Sequence, residues 1–300
     1  MSADPVAAIA RAVLYEGYLL YPYTRSSAKN QVRWTFGGVH PPAWAADPSV
    51  MQTECLVQPA SGWRVEIAIR CLQLLRRTAP GEPVWQEAQE RTVASLALAP
   101  GAGAEAPVEL AAGSAREGEV VREWERIQGL VRASSTPLEG GAARITVRIE
   151  NTTPTAERPE RDEALLRTLV STHTVLRVEG GRFCSLADPP PGLREAAAAC
   201  ANQGTWPVPV GEPGSGDVLL SSPIILEDYP RIAEQSPGDL FDATEIDEIL
   251  TLRILTLSDT EKAELRRTDA RAAELLDRTE EMGAEDLMRL HGTLREMRPL

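Results

Sequence analysis

Aromatic and basic side chains alternate between residues 15 and 34, in a pattern that suits ligand binding. Aromatic faces stack on bases, and arginine or lysine beside them attracts anions. In a simpler interpretation, the tyrosines pack against the protein body and the arginines pair with the chain's many carboxylates. The set that could bind a ligand or partner is Tyr18, Tyr21, Tyr23, Arg25, Lys29, Arg33 and Trp34.

Carboxylates gather between residues 227 and 248, around the last tyrosine of the chain. Oxygen ligands of this kind suit Ca²⁺ or Mg²⁺. The spacing does not match an EF-hand loop, and Asp242 with Glu245 fits a capping box that begins a helix. We therefore expect no metal ion here, and we keep Tyr229, Asp239 and Asp242 as candidate contact residues for a partner or ligand.

His173, Cys184 and Cys200 form the nearest approach to a soft metal-ligand set. Structural zinc sites usually have ligand pairs two to four residues apart, and this set has none. We interpret the cysteines as reduced, buried thiols and His173 as a hydrogen-bonded core residue. A metal carrier is a weaker alternative, and a Cys–His nucleophile pair stays open because such partners meet in space. The sequence predicts no bound cofactor.

Familiar catalytic patterns are missing from the chain. It has no G-x-x-x-x-G-K-[ST], G-x-G-x-x-G, G-x-S-x-G or H-E-x-x-H motif. These patterns carry phosphate binding, nucleophilic catalysis and zinc chemistry. Their absence favours a protein that binds over one that catalyses a reaction.

Most of the chain reads as β-strands. Apolar and polar residues alternate over 63–71 and, most regularly, over 143–151, as in half-buried strands. Pro59 to Gly62 predicts a turn between two strands, and Gly180-Gly181 predicts a turn before a hairpin strand at 182–186. Residues 87–98, 206–210 and 217–226 are further strand candidates, and 100–115 is predicted to be a surface loop.

The periodicity becomes helical after Asp242. A second capping box at Ser258–Glu261 predicts another helix, and further helices are expected to residue 297. Strands followed by helices indicate an α+β fold: an antiparallel, sandwich-like β body with a helical C-terminal extension. We predict an N-terminal helix and aromatic segment over 1–45, a β-rich body over 46–227, and an acidic hinge with C-terminal helices over 228–300.

The composition limits the partners. The formal net charge is -13, whereas binding to a phosphate backbone or an anionic membrane requires basic surface. The chain has no apolar run of the roughly 18 residues that a spanning helix needs. Its first residues lack the basic and apolar regions of a secretory signal. We expect a cytoplasmic protein that binds neither nucleic acid nor membranes.

Several strings of the sequence together resemble a known family. They lie at 15–34, 185–190, 202–207 and 221–250. They are similar to an uncharacterised protein family associated with gene clusters of actinobacterial-type, oxygen-tolerant [NiFe] hydrogenases. The family provides no catalytic residues to transfer, so the resemblance implies only a role in making or serving a hydrogenase.

Two functional hypotheses follow from these observations. The first is a non-catalytic accessory or assembly protein that binds a metalloenzyme subunit or its maturation machinery, as the resemblance implies. The second is a small-molecule-binding protein or enzyme, with a pocket where residues 15–34 meet residues 221–242. A deep polar pocket would favour the second hypothesis, and an exposed apolar patch would favour the first.

Overall fold

The computed structural model describes residues 9, 10, 14, 35–82, 84–230, 256–268 and 270–281. The chain divides into two compact units, one of residues 1–14 and 35–230 and the other of residues 15–34 and 231–300. The described structure is mostly antiparallel β-sheet. The prediction of an antiparallel β body is confirmed.

In the described part of the first unit lie ten strands and two short α-helices, besides the helical residues Ile9, Ala10 and Leu14. The strands are β1 (Val50–Thr78), β2 (Trp85–Leu98), β3 (Gly103–Leu110), β4 (Gly113–Glu117), β5 (Val120–Trp124), β6 (Ile127–Pro137), β7 (Ala143–Asn151), β8 (Val170–Cys184), β9 (Trp206–Val210) and β10 (Val218–Ser222). The helices are α1 (Arg161–Leu165) and α2 (Arg194–Ala198), and single 3₁₀ turns lie at Glu139–Gly141 and Pro191–Leu193.

All ten strands belong to one sheet that curls into a half-barrel. The main path runs β3-β6-β7-β1-β8-β10-β9, while β2 and β5 also pair with β1, and β4 pairs with β5. β1 is 29 residues long and changes neighbours along its length. Its first part pairs with β7 and its later part with β2, so one strand connects two regions of the sheet.

The change of neighbours occurs at an irregularity between β1 and β8. Pro59 pairs with Gly181 and Arg64 pairs with Glu179, so four residues of β1 stand opposite Gly180 alone. Gly180 has φ +68°, and a Cβ there would lie 3.2 Å from the Cα of Trp63. Both predicted turns are therefore wrong: the chain continues through each one, and their turn-forming residues instead build one bend shared by two strands.

The prediction of a surface loop at 100–115 is also wrong, because this stretch forms β3 and the start of β4. β3 pairs with β6 from Gly103 to Leu110 along the end of the main path. An end strand tolerates Pro107 because only one side of it must supply ladder hydrogen bonds. Side chains on this part of the sheet form ion pairs, such as those of Arg132 with Glu105 (2.9 Å) and Glu150 (3.0 Å).

The inner face of the sheet holds the main hydrophobic core. β7 occupies the predicted residues and alternates strictly between buried and half-buried positions. Its Ile145, Val147 and Ile149 pack with Ile67 and Ile69 of β1 in one cluster. A second cluster joins the helical residues Ile9 and Ala10 to β9 and β10.

The second unit is described at α3 (Asp259–Thr268) and α4 (Ala270–Glu281). The predicted capping box at its start is confirmed: the Ser258 N–H donates to Glu261 Oε2 (2.8 Å), and the Glu261 N–H donates to Ser258 Oγ (3.4 Å). Arg266 of α3 pairs with Asp277 of α4 at 2.9 Å. The helices predicted over 242–257 and 284–297 lie outside the described residues except at 256–257, where the chain forms a turn and not a helix.

Candidate functional site

Three segments that are distant in sequence meet at one end of the sheet in the first unit. The Phe36 carbonyl accepts the Ser171 N–H (3.0 Å), and Gly37 lies against Pro223 so closely that a Cβ would reach 2.3 Å from the proline Cβ. Trp206 pairs with Ser222, directly before that proline. Pro223 therefore lies at the junction of segments 35–40, 201–206 and 221–226.

A network of side chain to backbone hydrogen bonds holds segment 201–205 on β1. The Asn202 side chain accepts the Glu54 N–H (2.8 Å) and donates to the Glu54 carbonyl (3.2 Å). The Glu54 carboxylate in turn accepts the Ala201 N–H (2.8 Å), and Gln52 forms a β-bridge with Gln203. This network fixes the approach of the chain to Trp206.

Buried hydroxyl groups lie beneath the junction. Ser221 Oγ is 2.7 Å from Thr53 Oγ1 and 2.8 Å from Thr205 Oγ1, and all three side chains are buried. Thr174, the cross-strand neighbour of Ser221, is also buried, and its Oγ1 has no hydrogen-bond partner. The three bonded hydroxyl groups link β1, β10 and segment 201–205. These buried hydrogen bonds fix the relative positions of the three segments.

The surface of this end carries large exposed apolar side chains. Phe36 is 52% exposed, Trp206 44% and Ile225 73%. We call these three residues the apolar patch. Such side chains scattered singly are ordinary. These three belong to the segments that join at Pro223, which makes this end of the first unit the candidate interaction surface. The other large hydrophobic residue exposed in the described chain, Val84, lies between β1 and β2.

Tyr229 is the one described member of the two predicted contact sets. It is half-buried, has φ +55°, and its N–H donates to the Pro209 carbonyl (2.7 Å). It lies in the segment that leaves the apolar patch, where its backbone covers the outer side of β9. The other predicted contact residues lie outside the described residues: Tyr18, Tyr21, Tyr23, Arg25, Lys29, Arg33, Trp34, Asp239 and Asp242.

The weak metal candidates do not form a metal site. Among the described residues, no group of three or more His, Cys, Asp or Glu has an arrangement that could hold a metal ion. Cys184 belongs to a small hydrophobic cluster on which Cys200 packs, and burial raises the pKa of both thiols. Neutral, packed thiols are poor nucleophiles and poor metal ligands.

His173 is a core residue in a strand, as predicted, but only one of its ring nitrogens is satisfied. Nδ1 lies 3.2 Å from the Ser171 carbonyl, so this nitrogen carries the proton, and Nε2 is buried without a partner. Burial lowers the pKa of His173 to about 4. A bulge in β8 produces this arrangement, because Ser171, with φ +50°, and its neighbour Thr172 stand opposite the single residue Cys71.

An open cavity of about 440 Å³ lies elsewhere on the first unit, on strands β1, β2 and β8. Small side chains line much of it, and Glu66 and Arg177 are paired across the strands at one end. Its lining residues are Glu66, Ile67, Ala68, Ser95, Leu96, Ala97, Val175 and Arg177. The cavity shares no lining residue with the apolar patch.

Reasoning from the sequence did not identify Phe36, Trp206 or Ile225 as site residues. The available signal was indirect, because Trp206 and Ile225 fall within the distinctive strings at 202–207 and 221–250. Nothing in the pattern of residues indicated which of the chain's hydrophobic side chains stay exposed.

No protein-family model matches this chain, and a search of curated proteins likewise finds no match. In the part of the chain that the structure describes, no helix is both long and apolar enough to span a membrane.

Proposed function

We propose that this protein is a non-catalytic accessory or assembly factor that docks onto a partner protein through its apolar patch. The observation that supports the proposal is that Phe36, Trp206 and Ile225 are all exposed and lie on the three segments that join at Pro223. Exposed aromatic residues on a preorganised scaffold are the residues that most often dominate binding energy at protein interfaces. The resemblance to the hydrogenase-associated family implies a hydrogenase subunit or a maturation factor as the partner.

The rigid support of the patch favours binding without a large conformational cost. The Asn151 side chain donates to the carbonyls of Val39 and Arg167, both at 2.8 Å, and so fixes the chain after Phe36. The Asn202–Glu54 bonds and the Ser221 hydroxyl cluster fix the other two segments. Side chains held in place before binding lose less conformational entropy when a partner arrives.

The test is an affinity purification of the tagged full-length protein from its host, with co-purifying proteins identified by mass spectrometry. We expect a hydrogenase subunit or maturation factor with the wild type and its loss with Trp206→Ala. Val84→Ala is the matched control, because it truncates an exposed apolar side chain outside the patch. Retention of the same partner by Trp206→Ala and Phe36→Ala would refute docking through the patch.

A second candidate function, small-molecule binding, is favoured by the 440 Å³ cavity on β1, β2 and β8. Its volume falls in the range of about 300–1,000 Å³ that is usual for ligand pockets. Native mass spectrometry of protein purified from the host would detect such a ligand, and Ala97→Trp should displace it by filling the cavity. A ligand that is equally bound by Ala97→Trp would lie elsewhere.

A further inference from the structure

The edge of the sheet beside the apolar patch cannot accept an added strand. In an antiparallel strand, alternate residues direct their N–H and C=O groups to the same side. The Pro209 carbonyl points away from β10, since it accepts the Tyr229 N–H, and Pro207 faces the same side two residues earlier. Neither proline has an N–H, so this edge offers no donors along that side.

Two carboxylates lie close in sequence to Ile225 of the apolar patch. The carboxylates are Glu227 and Asp228, in the segment that also carries Ile225. They follow Ile225 after one intervening residue, Leu226; Glu227 is exposed and Asp228 is half-buried. The whole chain carries a formal net charge of -13, so the surrounding field also attracts cations. Electrostatic complementarity of this kind selects partners and accelerates their association.

We propose that the apolar patch binds an amphipathic helix of a partner protein, with apolar side chains along one face and Lys or Arg beside them. The inference rests on the proposed function and specifies its partner. Addition of a partner strand requires backbone N–H donors that the outer edge of β9 lacks. A partner must therefore bind here mainly through side-chain contacts. A helix presents apolar side chains at three- and four-residue spacing, which suits three exposed anchors around Pro223. Basic residues flanking that face would meet Glu227 and Asp228.

The probe is a fluorescein-labelled synthetic helix of Leu and Lys at amphipathic spacing, titrated with the full-length protein and followed by fluorescence anisotropy. A Leu/Glu helix of the same spacing is the comparison. We expect the Leu/Lys helix to bind and the Leu/Glu helix to bind at least about tenfold more weakly, a difference of 1.4 kcal/mol. Equal binding of the two helices, or no binding of the Leu/Lys helix, would overturn the inference.

Variants separate specific docking from general attraction to an acidic protein. Trp206→Ala and Ile225→Ala should each weaken binding of the Leu/Lys helix about tenfold, as loss of an interface anchor does. Glu227→Gln combined with Asp228→Asn should weaken it and flatten its dependence on salt. Glu119→Gln combined with Glu157→Gln makes the same charge change at exposed sites outside the patch and should leave affinity unchanged. An equal loss in this control would refute a specific site.

The peptide result and the host purification can fail independently. If Trp206→Ala loses the host partner while the Leu/Lys helix fails to bind, the patch docks a partner of different chemistry. If the helix binds through the patch but the host partner is retained by Trp206→Ala and Phe36→Ala, that partner does not dock through the patch, and the helix-binding property stands without it.

Discussion

Protonation of His173 should destabilise the fold in mild acid. The imidazole is fully buried in β8, and burial lowers its pKa from 6.5 to about 4. The unfolded chain therefore takes up a proton at a higher pH than the folded chain. Stability that is present above pH 6.5 is lost as the pH falls toward 4.

The magnitude follows from the two pKa values. At pH 4.5 the unfolded histidine is almost fully protonated, while the folded one is mostly neutral. This single group then lowers the free energy of unfolding by about 2.5 kcal/mol relative to pH 7, because one pKa unit corresponds to about 1.36 kcal/mol. Burial is the cause, and the positive charge of Arg70 acts in the same direction, whereas the bond to the Ser171 carbonyl opposes it.

The assay is urea unfolding of the wild type and His173→Asn at pH 7 and pH 4.5. The asparagine amide can donate to the Ser171 carbonyl but does not titrate, so the variant should lose about 2.5 kcal/mol less stability than the wild type over this interval. Identical pH dependence of the two proteins would refute the reasoning, because it would show that water reaches the folded imidazole.

His40→Asn is the matched control for this measurement. His40 is also buried, which lowers its pKa, but Asp47 acts in the opposite direction, with its Oδ2 3.9 Å from Nε2. We therefore expect a smaller change in the pH profile for His40→Asn than for His173→Asn.

Two further predictions concern the bend and the hydroxyl cluster. Gly180→Ala should lower the free energy of unfolding by about 1–2 kcal/mol, because its φ of +68° disfavours any side chain and the new Cβ would press on Trp63. An unchanged urea midpoint would contradict this prediction, because it would show that the backbone at the bend adjusts without loss of stability. Ser221→Ala should lower the free energy of unfolding by about 1–3 kcal/mol, because it leaves the Thr53 and Thr205 hydroxyls without this partner. Thr174→Val removes a buried hydroxyl that has no hydrogen-bond partner, so it should leave stability unchanged or raise it. Equal losses in these two variants, measured by the same unfolding assay, would contradict the assigned bonds.

Local patterns were sufficient where neighbouring residues alone decide the structure. The alternation in 143–151 predicted β7 with its true bounds, because one face of that strand is buried and the other is not. Trp206–Val210 was likewise predicted correctly as a strand. The Ser258–Glu261 box formed because both of its hydrogen bonds lie within one helical turn.

Turn-forming residues were misleading where two strands share them. Gly62 and Gly180 each signal a reversal when considered alone, yet they lie across from one another at the bend of β1 and β8. A glycine with positive φ permits a tight turn or a bulge equally well. Only the partner strand decides between the two, and its position is not encoded within a short window of sequence.

The amino-acid sequence by itself determined that this chain would be rich in antiparallel strands, acidic overall, and equipped with a capped helix near its C-terminus. Tertiary structure alone decided that β1 would run unbroken through its predicted turn. It also decided that the segments of Phe36, Trp206 and Ile225 would join at Pro223 with these side chains exposed. The physical reason is that strand content, charge and caps follow from each residue and its near neighbours. Exposure of an apolar side chain depends instead on which distant segments cover it.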